Sequence, residues 1–89
     1  MILKMIKFGN ILNSRPAGRE AVLRAKQILH GATDTEIQLD FSRVEVLTPS
    51  FADEFIKGLK NECADKKVTF MEFEKSSVIK ETLSFLSFI

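Results

Sequence analysis

A hydroxyl at the start of a predicted helix is the group best placed for chemistry in this chain. Ser50 follows Pro49 and stands three residues before Asp53, where an apolar helical stripe begins. Its hydroxyl is expected to cap the helix by accepting a hydrogen bond from a first-turn amide. The same hydroxyl could instead accept a phosphoryl group, because helix N-termini favour anions. Asp53 and Glu54 would repel that phosphate, so the residues alone favour the cap.

Two arginines could supply positive charge beside this hydroxyl. Arg15 stands at the predicted start of the first helix, and Arg43 follows the second predicted strand. Helices begin at the carboxyl edge of a parallel sheet, so both arginines are expected near Ser50, at the edge where α/β sheets bind ligands. Arg15 would there neutralise a phosphate or a carboxylate of a partner. Its structural alternative is an ion pair with a nearby carboxylate such as Asp40.

Other side chains give little support for an enzyme. His30, the only histidine, is predicted in the last turn of the first helix, at the opposite edge from Ser50. Cys63, the only cysteine, lies on an apolar helical stripe and is expected to pack in the core. A protein metal site needs more such ligands, and the glycines form no phosphate-binding loop. We therefore predict a protein without catalytic activity, metal or cofactor.

Length, charge and hydropathy narrow the class of protein. The 89 residues fit one domain that spans 1–89. A net charge of +1, from 13 basic and 12 acidic side chains, gives no electrostatic reason to expect nucleic acid as a partner. No segment approaches the ~20 apolar residues of a membrane span, and a lone cysteine suits a reducing compartment. A cytoplasmic protein is expected.

Apolar periodicity predicts a strand followed by a helix, three times in succession. This β-α-β-α-β-α order is typical of an α/β fold with right-handed connections and a mainly parallel or mixed sheet. The helices should lie chiefly on one face, because the second strand alternates apolar and polar residues. The predicted elements are strand Ile2–Phe8, a helix from near Pro16 to Gly31, strand Glu36–Phe41, helix Ser50–Cys63, strand Val68–Phe73, and a last helix that is capped by Ser76 or Ser77 and has Val78, Ile79, Leu83, Leu86 and Ile89 on its apolar face.

Three short segments resemble a known family. Asp40-Phe41-Ser42-Arg43-Val44 ends a strand, Ser50-Phe51-Ala52-Asp53-Glu54-Phe55 begins a helix, and the pair Ser14-Arg15 begins the first helix. Together they are similar to the STAS-like domains, a family of unknown function related to the anti-sigma factor antagonists. The similarity runs from about Asn13 to Leu59. It implies a small regulatory domain that binds another protein.

The resemblance also implies a role for the serine. In anti-sigma factor antagonists a serine at the start of this helix is phosphorylated, and Ser50 stands at that position. Thr48 and Phe51 replace the acidic and the small residue that usually flank it. The implied partner is a histidine-kinase-like ATPase that also acts as a serine kinase. The expected partner-binding residues are Arg15, at the margin, and Arg43, Thr48, Ser50, Asp53, Glu54 and Lys57.

Two alternative functions, and the oligomeric state, stay open at this point. The protein could be a constitutive structural or interaction subunit in which Ser50 is only a helix cap. It could be a small-ligand-sensing domain, which would need a pocket at the edge of the strands. An exposed first strand could also allow homodimers to form by edge pairing.

Overall fold

Five parallel strands and three α-helices make up the fold. The computed structural model describes all 89 residues. The strands form two sheets, so the predicted α/β class with parallel strands is confirmed. In chain order the elements are β1 (Ile2–Lys4), β2 (Ile11–Leu12), α1 (Arg15–Leu29), β3 (Glu36–Asp40), β4 (Val46–Leu47), α2 (Pro49–Glu62), β5 (Lys67–Met71) and α3 (Ser77–Phe85).

The larger sheet has the strand order β1-β3-β5 and carries helices chiefly on one face. Its two crossovers run in the same direction, so right-handed connections place α1 and α2 on the same side. Leu3 and Leu39 pair in register on the covered face and are 1% and 0% exposed. On the opposite face Ile2 is 50% exposed and Lys4 reaches solvent. The one-sided cover predicted from the second strand is therefore confirmed.

The first strand is shorter than predicted. It ends at Lys4, and a 3₁₀ turn over the next four residues replaces the predicted continuation to Phe8. Side chains three positions apart share a face in such a turn, so Met5 enters the core while Lys4 and Lys7 reach solvent. Alternate residues of a strand share a face. A continued strand would therefore have carried Lys7 into the core beside Leu3 and Met5.

A second, two-stranded sheet was not predicted. Gly9 turns the chain with a φ of 125°, after which Ile11 of β2 pairs with Val46 of β4. The Asn10 carbonyl accepts hydrogen bonds from the amides of Glu45 and Val46, at 2.8 and 3.1 Å. Because β2 precedes α1 and β4 precedes α2, this sheet holds the starts of the two helices side by side.

Glycine allows α1 and α2 to pack closely against each other. A Cβ on Gly18 would lie 2.9 Å from the carbonyl oxygen of Phe51, which belongs to the backbone of α2. A Cβ on Gly58 would lie 2.9 Å from Cγ2 of Val22. Such distances are too short for any larger residue without displacement. The start of α1 is therefore held directly against the first turns of α2.

The last helix agrees with the prediction only in part. Ser76 caps α3 by accepting a hydrogen bond from the Ile79 amide at 3.2 Å, as one of the two predicted caps. Ile79 and Leu83 are fully buried. Val78 and Ile89, also predicted on the apolar face, are 46% and 44% exposed. The helix ends at Phe85, so Ile89 does not follow helical spacing and the predicted face is too long.

Candidate functional site

The residue that caps α2 is not the predicted one. Thr48 is the N-cap, and its hydroxyl accepts a hydrogen bond from the Phe51 amide at 3.4 Å. Pro49 is the first helical residue and Ser50 the second. Proline suits the first helical position because the amide hydrogen that it lacks would have no partner there. The cap is therefore the residue before the proline, and the prediction of a Ser50 cap is wrong.

Replacing Thr48 with alanine tests this assignment. Thr48→Ala is expected to lower the free energy of unfolding by about 1 kcal/mol, because a first-turn amide loses its acceptor. The matched variant Ser50→Ala should change it by less than about 0.5 kcal/mol, as is usual for exposed positions. Urea denaturation of both variants measures the difference. Equal destabilisation by the two substitutions would contradict the assignment of Thr48 as the cap.

A network of ion pairs joins the first turns of α1 and α2. Nη1 of Arg15 lies 2.8 Å from Oδ2 of Asp53 and 3.5 Å from Oε2 of Glu54. Nζ of Lys57 lies 2.8 Å from Oδ1 of Asp53, and Nε of Arg19 lies 3.2 Å from Oε1 of Glu54. Hydrogen bonds with Lys57, and then with Arg15, hold the pKa of Asp53 below its ordinary value. Asp53 is therefore ionised at neutral pH.

This network arranges surface charge and adds little to stability. The side chain of Arg15 is 49% exposed and that of Asp53 is 21% exposed. Ion pairs in such contact with solvent contribute little to folding. The predicted structural alternative, an ion pair of Arg15 with a nearby carboxylate, is confirmed. The carboxylate is not the suggested Asp40, which is buried and accepts a hydrogen bond from the Ser42 amide at 2.9 Å. Arg15 lies within the charged cluster rather than at its margin.

Ser50 shares a helix face with the acidic and basic residues of α2. Asp53, Glu54 and Lys57 follow it at three, four and seven positions, which is the spacing of one helical face. Ser50 is exposed in the first turn, and its hydroxyl is not used by the cap. This face therefore presents an accessible hydroxyl beside fixed charges of both signs.

Arg43 lies outside the ion-pair network. It occupies a turn in which the Val44 amide donates to the Phe41 carbonyl at 3.1 Å, and its φ is 70°. Glycine is the residue that usually adopts this conformation in a turn. Arg43 is exposed and pairs with none of the carboxylates of α2. The predicted residues that the structure brings into contact are Arg15, Asp53, Glu54 and Lys57.

His30 and Cys63 were predicted within the ends of the first two helices, and each lies one residue beyond its helix. His30 follows the last residue of α1 and is exposed. Cys63 follows the last residue of α2 and is buried, and this burial raises the pKa of its thiol. A raised pKa lowers the fraction of the reactive thiolate. No three His, Cys, Asp or Glu side chains come together as a metal site.

The sequence reasoning missed one residue of the site, Arg19, and the capping role of another, Thr48. Arg19 takes part in the network through Glu54, and Thr48 caps α2. Arg19 follows Arg15 by four positions, so helical spacing alone would have placed both on one face. The signal for Thr48 was the proline after it, because proline favours the first helical position and a hydroxyl residue favours the position before.

Comparison with known proteins identifies the family. The model of the STAS-like domain of unknown function (DUF4325) matches residues 19–78, which include all of α2 and its acidic face. The chain belongs to this family. No curated protein and no solved structure matched the STAS-like chain. The matched residues of this STAS-like domain include Ser50 and Arg19, whereas Arg15 precedes them. None of its helices has the length and apolar character needed to cross a membrane.

Proposed function

We propose that this STAS-like domain is a non-enzymatic regulatory module that binds another protein at the start of α2, and that phosphorylation of Ser50 switches this binding. The observation that carries the proposal is the exposed Ser50 hydroxyl. It does not cap the helix, and it lies on the same helix face as the ion-paired residues of α2. We call the proposed contact region the α2 entrance surface. It consists of Arg15, Arg43, Thr48, Ser50, Asp53, Glu54 and Lys57.

A phosphate on Ser50 would alter the charges of this surface. It adds a charge of about −1.5 to −2 at neutral pH. The helix N-terminus favours that charge, whereas Asp53 and Glu54, one turn away, oppose it. Arg15 binds both of these carboxylates. Phosphorylation is therefore expected to draw Arg15 from the carboxylates and to change what a partner meets.

The proposed partner is a histidine-kinase-like ATPase that also phosphorylates serine. Support for it comes from the relationship between STAS-like domains and the anti-sigma factor antagonists, whose phosphorylated serine corresponds in position to Ser50. The family match covers this part of the chain. A cytoplasmic location would follow from such a partner. Edge pairing through β1, an edge strand of its sheet, is the proposed route to any homodimer.

The alternatives have less support from the observed geometry. The constitutive-subunit alternative accounted for Ser50 as a helix cap, but Thr48 is the residue that caps α2. A ligand-sensing domain would need a pocket at the carboxyl edge of the strands. Neither Ser50 nor Arg43 lines any of the three surface concavities. The Ser50 hydroxyl, which does not cap the helix, therefore favours the phosphorylation switch over the constitutive subunit and the ligand-sensing domain.

Affinity capture from a lysate of the native host tests the proposal. Wild-type protein is expected to retain an ATPase, and Ser50→Glu to retain it at least about tenfold less, because a charge placed within an interface commonly costs more than about 1.4 kcal/mol. Ser77→Glu is the matched control, since Ser77 is an exposed serine in the first turn of α3. Mass spectrometry identifies and quantifies the retained proteins.

Each other outcome has a definite meaning. Equal capture of one partner by wild type and Ser50→Glu would exclude the switch and favour a constitutive subunit. Equal loss with Ser50→Glu and Ser77→Glu would show a general effect of added charge. If wild-type protein retains no partner, binding through the α2 entrance surface is itself contradicted.

A further inference from the structure

A cleft lies beside the α2 entrance surface, between the 3₁₀ turn, β2 and α1. Most of its lining residues are apolar, while polar atoms make up most of its exposed surface. Its volume is about 190 Å³. Pockets that hold drug-sized ligands measure roughly 300 to 1,000 Å³, so this cleft fits a single large side chain. Glu20 and Arg24 supply its polar rim. Its apolar lining consists of Phe8, Ile11, Leu12, Ala17, Ala21 and Phe51.

The cleft has a rigid floor and an exposed apolar lip. Leu12 and Phe51 are 1% and 2% exposed, so the floor belongs to the packed core. Ile11 at the lip is 54% exposed, although it lies in β2 and is fixed by pairing with β4. Ile28, one helical turn beyond Arg24, is 39% exposed on the same flank of α1. An apolar group that enters the cleft would therefore find a preformed surface.

Arg24 is held at the rim of the cleft and keeps several free N–H donors. Its guanidinium carbon lies 5.2 Å from the centre of the Phe8 ring, and Nη2 donates to the Lys7 carbonyl at 3.4 Å. A guanidinium has five N–H donors, so several remain for a carboxylate. On the opposite flank of α1, Arg19 and Lys26 are already paired with carboxylates of α2. The cations of that flank therefore have carboxylate partners within the chain, whereas Arg24 has none.

We infer that this cleft anchors the partner, by taking one branched apolar or aromatic side chain from a segment whose neighbouring carboxylate pairs with Arg24. This inference rests on the proposed function, because it extends the same surface: Phe51 follows Ser50 directly, and Ala17 lies two residues after Arg15. Glu20, also at the rim and without an ion pair, repels a second carboxylate on its side. The recognised segment therefore carries its acidic residue on the Arg24 side.

A library of displayed random peptides, selected on the immobilised full chain, tests the inference. Enriched peptides are expected to share an apolar residue next to aspartate or glutamate. Fluorescence anisotropy then compares their affinities for wild type, Ala17→Glu and Arg24→Glu, with a loss on the order of tenfold or more expected for both variants, as for other anchor residues. Glutamate suits the first turn of a helix, so Ala17→Glu fills the cleft without harm to α1.

Leu23→Glu is the matched control. Leu23 is also an exposed apolar residue of α1, 56% exposed, but it faces the groove towards α2 instead of the cleft. Its substitution should leave peptide affinity unchanged. Selection without a shared motif, or selected peptides that bind Ala17→Glu as tightly as wild type, would overturn the inference. Circular dichroism confirms that each variant is folded before its affinity is compared.

The failure of this inference and that of the proposed function can be told apart. If ATPase capture responds to Ser50→Glu and not to Ala17→Glu, the α2 entrance surface binds the partner without the cleft. If peptides respond to the cleft substitutions while Ser50→Glu leaves capture unchanged, the cleft binds an apolar acidic segment and the switch is wrong. Capture that responds to both supports both.

Discussion

Phe55→Ala is expected to lower the free energy of unfolding by about 3 to 5 kcal/mol, the usual cost of a large-to-small substitution of a core phenylalanine. Phe55 has no exposed surface. Its ring centre lies 5.8 Å from that of Phe51, in a stacked arrangement, and 5.5 Å from that of Phe8. The substitution removes both aromatic contacts and leaves a cavity beneath the first turns of α2. Equilibrium denaturation in urea measures the loss.

Phe85→Ala is the matched control for this prediction. Phe85 is 75% exposed on α3, so its removal should change the free energy of unfolding by no more than about 0.5 kcal/mol. A domain of this kind has a total stability of about 5 to 15 kcal/mol, so Phe55→Ala removes a large part of it. A loss below about 1 kcal/mol for Phe55→Ala would contradict the packing of α2 described above.

Gly18→Ala is expected to destabilise the protein by about 2 kcal/mol. Overpacking costs typically about 1 to 3 kcal/mol, and the upper end applies because the added Cβ meets the backbone carbonyl of Phe51 at 2.9 Å. The better helix propensity of alanine returns about 1 kcal/mol of that cost. Thermal and urea denaturation measure the net change. A variant as stable as wild type would contradict the close approach of α1 and α2.

Gly58→Ala separates the two kinds of contact. Its added Cβ meets Cγ2 of Val22, also at 2.9 Å, but a side chain can move aside more easily than backbone. Gly58→Ala should therefore cost less than Gly18→Ala. Gly18→Ala also has a functional consequence, because it displaces the start of α1 and so separates Arg15 from Asp53. Gly18→Ala should weaken partner capture as well as stability, whereas Gly58→Ala should chiefly affect stability.

Local signals predicted the helices well. Pro16 lies in the first turn of α1, near which the sequence predicted the helix to begin, and Ser14 caps that turn by accepting a hydrogen bond from the Ala17 amide at 3.3 Å. Gly31 follows the end of that helix with a φ of 79°, the left-handed conformation that favours glycine. Caps and helix stops depend on a few neighbouring residues. They can therefore be predicted without knowledge of the tertiary fold.

The Ser50 cap was an error over a local signal, since Pro49 indicated Thr48. The other errors arose where distant residues decide the local structure. The apolar run after Met1 is typical of one long strand, yet burial of Met5 and solvation of Lys7 convert its second half into a 3₁₀ turn. The two-residue strands β2 and β4 have no pattern long enough to predict. They exist because Ile11 and Val46, 35 positions apart in the sequence, meet at the starts of the two helices.

In the candidate site, too, local spacing could be predicted from the sequence and long-range contacts could not. Helical spacing alone is enough to place Ser50, Asp53 and Lys57 on one face. The partner of Asp53 could not be predicted, because Arg15 lies 38 positions away and reaches it only through the close packing of α1 on α2. Asp40 was named only as one example of a nearby carboxylate. The observed network depends on the interhelical contact that the glycines allow.

The arrangement of the strands has a consequence for synthesis of the chain. Every strand pair is parallel and is joined through a helix: Ile2 pairs with Gln38, and Glu36 with Lys67. No hairpin can form early, and the central strand β3 leaves the ribosome about 30 residues before its second neighbour. During that interval β3 has one unpaired edge, and its apolar face is not yet fully covered. Nascent chains are prone to aggregate in such a state. Close contact of α1 with the growing α2 would shelter that face until β5 arrives.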